Sequence, residues 1–186
     1  VIKGSAHFLS PHEITVNRSK YSAATFLVAT GADWKLPHIH GLSDIPYMTP
    51  RDVLESIKPP KSLYIIGGGT TGVELALLMS IFGTKVYLAE VASRLLPDYD
   101  DEAGELLAKI LAEQKNVTVL TQARTLSVEK ENIANRVTYT VGGHEHTQRV
   151  DEILVAAGRT PTVDIGLENA GVDYSFQDTY YVVAHF

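Results

Sequence analysis

The sequence predicts an α/β fold in which a doubly wound parallel sheet is interrupted by an antiparallel β-meander. Residues 62–66, 71–82 and 85–89 read as buried strand, apolar helix and buried strand, the order of a βαβ unit. After Gln122 the apolar residues change to period two, which is typical of antiparallel strands. The apolar run at 152–158 predicts a return to the centre of the parallel sheet.

The segment before this sheet divides into a small β region and a linker. Residues 1–31 favour short strands, including HEITV at 12–16 and ATFLVATG at 24–31. Residues 32–60 contain five prolines around one predicted short helix at about 50–57. This stretch is therefore a candidate domain boundary.

The segment after the second buried strand predicts a helix, a third strand at 117–120 and the meander. Asp100 or Asp101 is expected to cap the helix. One amphipathic face of that helix comprises Ala103, Leu106, Leu107, Ile110 and Leu111. A Gly142-Gly143 turn divides the meander, and residues after 158 predict loop plus a final strand or hairpin. The meander residues predicted to share one face are Val137, Tyr139 and Val141.

Composition favours a small-molecule ligand over a polyanionic partner. The chain of 186 residues carries a formal net charge of −6 without a lysine or arginine cluster, which disfavours nucleic acid and acidic membranes. Its most apolar stretch, residues 75–82, is too short to span a membrane. The chain contains no cysteine, so it offers no disulfide, thiolate nucleophile or thiolate metal ligand.

Both ends read as interior segments of a longer protein. The first residues include no initiator methionine, basic region or cleavage site that would indicate targeting, and we expect a cytoplasmic protein. The last residues, DTYYVVAHF, are strand-like, and a free strand edge makes an unfavourable terminus.

A glycine cluster follows the first buried strand. Gly67, Gly69 and Gly72 form a G-x-G-x-x-G pattern. The first glycine permits a tight turn, the second lets the backbone approach a diphosphate, and the third lets helix and strand pack closely. The start of the following helix supplies unpaired N–H groups and a positive dipole end, and Thr70 or Thr71 could add a hydroxyl donor. The pattern predicts a dinucleotide site.

A single carboxylate ends the second buried strand. Glu90 lies 23 residues after Gly67, where an acid accepts both hydroxyl groups of an adenosine ribose and so favours NAD over NADP. Arg94 lies close enough in sequence to turn toward a 2′-phosphate instead. The competing interpretation is a close strand-to-helix turn followed by a solvated strand end.

Two further groups of polar residues favour ordinary structural interpretations. Neither histidine pair has an obvious third metal ligand, so exposed polar positions are favoured over a metal site. These pairs are His38 with His40 and His144 with His146. A run of acids indicates the charged first turn of a helix, since it lacks the spacing of a calcium loop. The run comprises Asp98, Asp100, Asp101 and Glu102.

Three motifs in order give the chain a resemblance to a known family. They are ATGA at 29–32, IGGGTTGVE at 66–74 and AAGRTP at 156–161, with KPPKSL before the second and RLLPDYDDE after it. Together they resemble the class I pyridine nucleotide-disulfide oxidoreductases, the flavoprotein family of dihydrolipoyl dehydrogenase, mercuric reductase and glutathione reductase. The resemblance runs nearly from end to end.

The resemblance implies a Rossmann-like NAD(H)-binding domain over about 46–160, inserted between FAD-domain segments at 1–45 and 161–186. The implied flavin-facing positions are Gly4, Ala6, Thr30 and Gly31. The implied nicotinamide-nucleotide positions are Gly67, Gly69, Gly72, Glu74, Glu90 and Gly158. Glu74 matches an acid near the nicotinamide, whereas on physical grounds alone it is a charge in the first turn of a helix.

The resemblance also implies what this chain lacks. Thr162 stands where the family usually has asparagine, and the first flavin fingerprint, the paired cysteines and the late Gly-Asp motif are missing. The dimerisation domain that supplies an acid-base histidine is missing too, so the parent is expected to be a homodimer through that domain. We therefore expect no catalytic residue and no metal site here, and a chain that binds dinucleotide without turnover.

Two alternatives stay open at the level of sequence. One is a free-standing NAD-binding sensor or module without redox chemistry. The other keeps the flavin but uses one cysteine or none, as in the related NADH oxidases and ferredoxin-type reductases. The electron acceptor is not encoded in these residues.

Overall fold

The chain, described by a computed structural model over residues 1–174 and the backbone of 182–184, divides into two compact units. Unit 1 combines Val1–Asp33 with Arg159–Phe186, and unit 2 is Trp34–Gly158. Unit 2 begins before the boundary predicted at residue 46. The assignment of 46–160 to NAD(H), and of the flanking segments to FAD, stays a prediction.

Unit 1 begins with a three-stranded antiparallel sheet of order β1-β2-β3. Its strands are β1 Ala6–Ser10, β2 Glu13–Val16 and β3 Ser19–Ser22, and a short β4 spans Ala32–Trp34. The strand predicted over 24–31 is wrong, because those residues have no strand partner and Leu27 is 93% exposed. Phe26 instead lays its ring against Phe8, with ring centroids 5.2 Å apart.

Unit 2 is built on a four-stranded parallel sheet of order β11-β5-β6-β7. Its strands are β5 Ser62–Ile66, β6 Lys85–Ala89, β7 Val117–Leu120 and β11 Glu152–Val155. The three α-helices of the unit are α1 Pro50–Glu55, α2 Thr70–Ile81 and α3 Asp101–Ala112, and a 3₁₀ helix spans Leu42–Asp44. The α/β fold with parallel and antiparallel sheets is as predicted from the sequence.

Each strand of the sheet divides its side chains between two cores. Leu63 and Ile65 pack with α2 and α3 on one face, whereas Tyr64 and Ile66 pack with the meander on the other. Because successive residues of a strand point to opposite faces, an apolar run is needed to fill both cores. This double burial explains the apolar runs at 63–66 in β5 and 86–89 in β6.

The meander comprises β8 Ala123–Glu131, β9 Ala134–Val141 and β10 His144–Val150, in the order β10-β9-β8. The predicted shared face is confirmed. Val137 and Tyr139 are buried in the core between the parallel sheet and the meander, called the second core below, and Val141 packs against it.

Two helix predictions need correction. Asp100 occupies the N-cap position of α3, but its side chain makes no capping hydrogen bond. The buried face of α3 is centred on Gly104 and Leu111 rather than on Leu106, which is 58% exposed. A Cβ atom at Gly104 would overlap the carbonyl oxygen of Leu95, in the loop between β6 and α3. The helix therefore packs on this loop through Gly104, which turns Leu106 toward solvent.

The central position predicted for the strand at 152–158 is also wrong, because β11 lies at one end of the four-stranded sheet. Its outer side is covered by Met48, whose N–H donates to Ile153 O at 2.7 Å and whose carbonyl accepts from Val155 N at 2.9 Å. His40 forms a similar bridge with Ser127. The bridge from His40 joins residues ahead of 46 to the meander of unit 2.

The remaining described residues return to unit 1. They form β12 Arg159–Pro161, which pairs with β4, then β13 Val172–Tyr174 paired with β14 Val182–Ala184. This antiparallel pairing agrees with the final strand or hairpin predicted from the sequence. The rest of the strand-like tail, residues 175–181 and 185–186, lies outside the described residues.

Candidate functional site

The glycine turn between β5 and α2 is fixed by close backbone packing. Gly67 has φ +112°, and a Cβ atom there would lie 2.5 Å from Ala156 O. At Gly72 a Cβ atom would overlap the carbonyl oxygen of Gly67. Both positions therefore require glycine for the fold itself, since backbone atoms occupy the space of a side chain.

Gly69 differs from Gly67 and Gly72 because it faces open space. Apart from its own chain neighbours and the backbone of α2, no atom lies within 4 Å of the position that its Cβ would occupy. Gly69 is also the N-cap residue of α2, and no side chain caps the first turn of that helix. The N–H groups of this 12-residue helix are therefore available to an external acceptor, as at anion sites on helix N-termini.

The polar residues of the first turns are accessible. Thr70 is exposed and Thr71 is half-buried. Glu74 is exposed but lies in the second turn, because α2 begins at Thr70 rather than at the predicted 71. The physical interpretation of Glu74 as a first-turn charge is thus wrong, since the dipole acts mainly within that turn.

Glu90 directs its carboxylate toward the glycine turn. Its Oε2 accepts a hydrogen bond from Gly68 N at 2.6 Å, and its Oε1 accepts one from Ala92 N at 2.8 Å. Only 7% of the residue is exposed. A carboxylate has about four lone-pair positions, and these two hydrogen bonds use two of them.

Gly68 was missed among the predicted site residues. A Cβ atom there would lie 2.7 Å from Glu90 Cβ and 2.7 Å from Leu95 Cδ2. Its carbonyl accepts a hydrogen bond from Leu96 N at 2.9 Å. The signal in the sequence was the unbroken run of three glycines, of which the fingerprint uses two.

Arg94 is held by the loop that follows β6 and by the start of α3. Its Nη1 donates to Leu96 O at 2.7 Å and its Nη2 to Pro97 O at 2.8 Å. Nη2 also lies 2.9 Å from Asp101 Oδ1. The approach to a 2′-phosphate considered from sequence is not its position in this structure.

Unit 1 brings together two motifs that are far apart in sequence. Thr30 Oγ1 donates to Thr162 O at 2.6 Å, and Thr162 N donates to Gly31 O at 3.0 Å. Both contacts use the backbone of Thr162, so they do not depend on threonine or asparagine at that position.

The other three predicted positions lie at turns or at a strand start. Gly4 is packed so closely that a Cβ atom would lie 2.5 Å from Asn17 Oδ1, and Ala6 begins β1. In unit 2, Gly158 has φ +97° and its carbonyl accepts from Lys35 N at 3.0 Å.

The second core holds tyrosines with altered acidity. Burial raises the pKa of Tyr64 to about 12. The 3.2 Å hydrogen bond between its hydroxyl and Thr125 Oγ1 acts in the opposite direction and lowers that pKa. Burial, then the charge of Tyr87, raises the pKa of Tyr139. The ring of His146 stacks on Tyr139 at 5.6 Å between centroids. Within residues 1–174, no three metal-ligating side chains converge.

A cavity of about 310 Å³ lies at the opposite end of α2 from the glycine turn. Its walls are almost wholly apolar and offer no charged group to a dinucleotide. They are formed by Met48, Val53, Leu54, Ser56, Ile57, Pro59, Pro60, Leu78, Met79 and Phe82. Among the described helices, none has the length and apolarity to cross a membrane.

A parallel strand, a glycine turn, a helix without a side-chain cap and an acidic strand end follow one another here, as they do in nucleotide-binding α/β domains. The family model for "Pyridine nucleotide-disulphide oxidoreductase" matches residues 1–186, and the chain belongs to that family.

Relatives and solved structures agree with this assignment. A mercuric reductase of Lysinibacillus sphaericus is 40% identical over 93% of this chain and 32% of its own length. A dihydrolipoyl dehydrogenase of Thermus scotoductus is 36% identical over 92% of this chain and 38% of its own length. The HOCl-induced flavoprotein disulfide reductase RclA from Escherichia coli, solved as a Cu(II) complex, superposes with a TM-score of 0.82 at 30% identity. That match covers 95% of this chain and 40% of the other. The chain thus spans about a third of the length of these relatives.

Proposed function

We propose that unit 2 binds NAD(H) and orients it for hydride exchange with a flavin in the full-length protein. The observation that carries the proposal is the contrast among three glycines: Gly67 and Gly72 are filled by backbone, whereas Gly69 faces open space at the start of α2. A fold alone does not require an empty position there, but a diphosphate lying against the backbone does.

The residues of the glycine turn have distinct tasks in this proposal. The first-turn N–H groups of α2 bind the diphosphate, and the exposed Thr70 hydroxyl lies beside them. Glu90 keeps its bonds to Gly68 and Ala92 and accepts the ribose hydroxyls on its remaining lone pairs. Bound in this way, the nicotinamide supplies the hydride, and the chain fixes where that ring lies.

The same contacts favour NAD over NADP. A 2′-phosphate about 4 Å from the Glu90 carboxylate would be repelled by roughly 4 kcal/mol per charge pair at an effective dielectric of 20, an upper-end figure. Arg94 does not offset this repulsion while its guanidinium is bonded to Leu96, Pro97 and Asp101.

Unit 1 has a complementary part in the proposal. Gly4, Ala6, Thr30 and Gly31 are proposed to lie against the flavin nucleotide, following the family resemblance. The sequence contains no cysteine, so the electron acceptor would be served by other parts of a cytoplasmic, homodimeric parent. The chain by itself is proposed to bind nucleotide without turnover.

Calorimetric titration with NADH and NADPH tests the proposal. We expect saturable NADH binding at least about tenfold tighter than NADPH binding, in line with the repulsion at Glu90. Gly69→Leu should abolish binding because its side chain would fill the diphosphate position, while its thermal transition stays that of the natural chain.

Ala112→Leu is the matched control, since it adds a similar side chain at an exposed position on another helix. It should bind NADH normally. Unchanged binding in Gly69→Leu, or no saturable binding of either nucleotide to the natural chain, would contradict the proposal.

A further inference from the structure

The loop after β6 lies directly on the glycine turn. Leu96 N donates to Gly68 O at 2.9 Å, and Leu95 Cδ2 lies 2.7 Å from the position of a Cβ at Gly68. Arg94 precedes these two residues, and Glu90, bonded to the same Gly68, starts the loop. A guanidinium and the proposed ribose-binding carboxylate therefore share one short loop.

Three acceptors hold the Arg94 guanidinium, and only one of them is charged. Two are the carbonyls of Leu96 and Pro97, which belong to the loop itself. The third is the carboxylate of Asp101, the first residue of α3. Arg94 Nη1 also lies 3.6 Å from the Cβ position of Gly104, so the arginine is seated on the first turns of α3.

We propose that Asp101 is a positioning residue for nucleotide choice, because it holds Arg94 on α3 and away from the 2′-oxygen of the adenosine ribose. This inference rests on the proposed NAD(H) site. A guanidinium is the side chain best suited to bind a 2′-phosphate bidentately. The chain thus has a cation of the kind that binds a 2′-phosphate, but this cation is paired with the carboxylate of Asp101.

The geometry sets the size of the effect. The Asp101 side chain is 80% exposed, whereas that of Arg94 is 26% exposed. Because exposed ion pairs hold their partners weakly, we expect Asp101→Asn to tighten NADPH binding by about three- to fivefold. NADH, which has no 2′-phosphate, should change by less than about twofold on the same reasoning.

Four forms of the full-length protein test the inference: the natural sequence, Asp101→Asn, Arg94→Gln and the double variant. Dissociation constants are measured by calorimetry at low and high salt with NAD⁺ and NADP⁺ in place of NADH and NADPH, because the oxidised forms carry the same ribose groups and have no hydride to pass to the flavin. The gain for NADPH in Asp101→Asn should vanish in the double variant, because the freed guanidinium is then absent. It should also shrink at about 1 M salt, where screening acts within about 3 Å.

Asp100→Asn is the matched control, since Asp100 precedes Asp101 at the same helix start and makes no capping bond. It removes the same charge without releasing Arg94 and should leave the NADPH to NADH ratio unchanged. Asp101→Ser serves as a second variant if Asp101→Asn does not fold.

The outcomes separate this inference from the proposed function. Normal NADH binding with an unchanged ratio in Asp101→Asn would overturn the inference alone. So would an equal gain in Asp100→Asn, or a gain that survives Arg94→Gln. Failure of the natural protein to bind either nucleotide would overturn the proposed function and this inference together.

Discussion

The two units differ in how much core they possess. Unit 2 buries apolar side chains on both faces of its parallel sheet, under the helices on one face and under the meander on the other. Among the described residues of unit 1, the buried apolar side chains are Phe8, Val16 and Leu167. Because burial of apolar surface is the main favourable term in folding, unit 2 accounts for most of the hydrophobic stabilisation that the described residues provide.

The candidate positions of the two units differ in the same way. In unit 2 the glycine turn is defined by steric contact, with Gly67 against Ala156 and Gly72 against Gly67. In unit 1 the motifs at Thr30 and Thr162 are joined by two hydrogen bonds. Steric constraints of this kind fix a backbone more tightly than exposed hydrogen bonds, so the proposed diphosphate position is the better organised of the two.

The largest expected effect comes from Gly72→Val. A side chain there must displace the carbonyl of Gly67, which cannot move without breaking the turn. We expect the free energy of unfolding of unit 2 to fall by about 4 kcal/mol or more, at the upper end of single substitutions. Urea unfolding followed by circular dichroism measures it.

Gly69→Ala is the control for that prediction, because its added methyl group meets open space and its φ of −71° suits alanine. Its unfolding free energy should change by less than about 0.5 kcal/mol, the usual range for substitutions without a steric or polar consequence. Equal losses in the two variants would show that backbone packing does not distinguish these glycines.

The sequence was sufficient where a residue's role depends on its immediate neighbours. The strands at 62–66, 85–89 and 117–120 have the predicted bounds. The first two are apolar runs whose side chains fill the cores on both faces of the sheet. It was insufficient where the role depends on distant residues. Residues 24–31 have strand-forming composition but no partner strand, and α3 is rotated by the contact of Gly104 with Leu95.

The candidate site follows the same division. The fingerprint glycines and Glu90 could be found from spacing, because a tight turn and a strand end impose fixed intervals. The bond between Gly68 and Glu90 could not, since it joins residues 22 apart across two strands. The position of Arg94 also escaped prediction, because two of its three acceptors are backbone carbonyls, which every residue has.

The next effect compares the core of unit 2 with the core of unit 1. Leu88 is fully buried in the helix-side core of unit 2, and Leu88→Ala should cost about 2–5 kcal/mol. Phe8→Ala removes the largest buried side chain described in unit 1. Amide hydrogen exchange should become faster throughout unit 2 in Leu88→Ala. In Phe8→Ala the faster exchange should be confined to unit 1. Loss of protection in unit 2 on Phe8→Ala would mean that the two cores are one cooperative system.

The smallest expected effect is a change of stability with pH that arises from Tyr64 in unit 2. Burial raises the pKa of Tyr64 to about 12 from its ordinary 10.0. The unfolded chain therefore loses this proton at lower pH than the folded chain, so the stabilising contribution is complete below about pH 10 and is lost as pH rises to about 12. At about 1.4 kcal/mol per pH unit, the full loss is on the order of 2–3 kcal/mol.

Urea unfolding of the natural chain and of Tyr64→Phe between pH 8 and 11 tests this titration. At pH 8 the variant should be less stable by about 1 kcal/mol, because Thr125 Oγ1 loses its partner. Toward pH 11 the two stabilities should converge, since only the natural chain loses the Tyr64 contribution, while Tyr139 titrates in both. A constant difference across that range would show that the Tyr64 hydroxyl is not desolvated between the sheet and the meander, and would weaken the claim that unit 2 has a core on both faces.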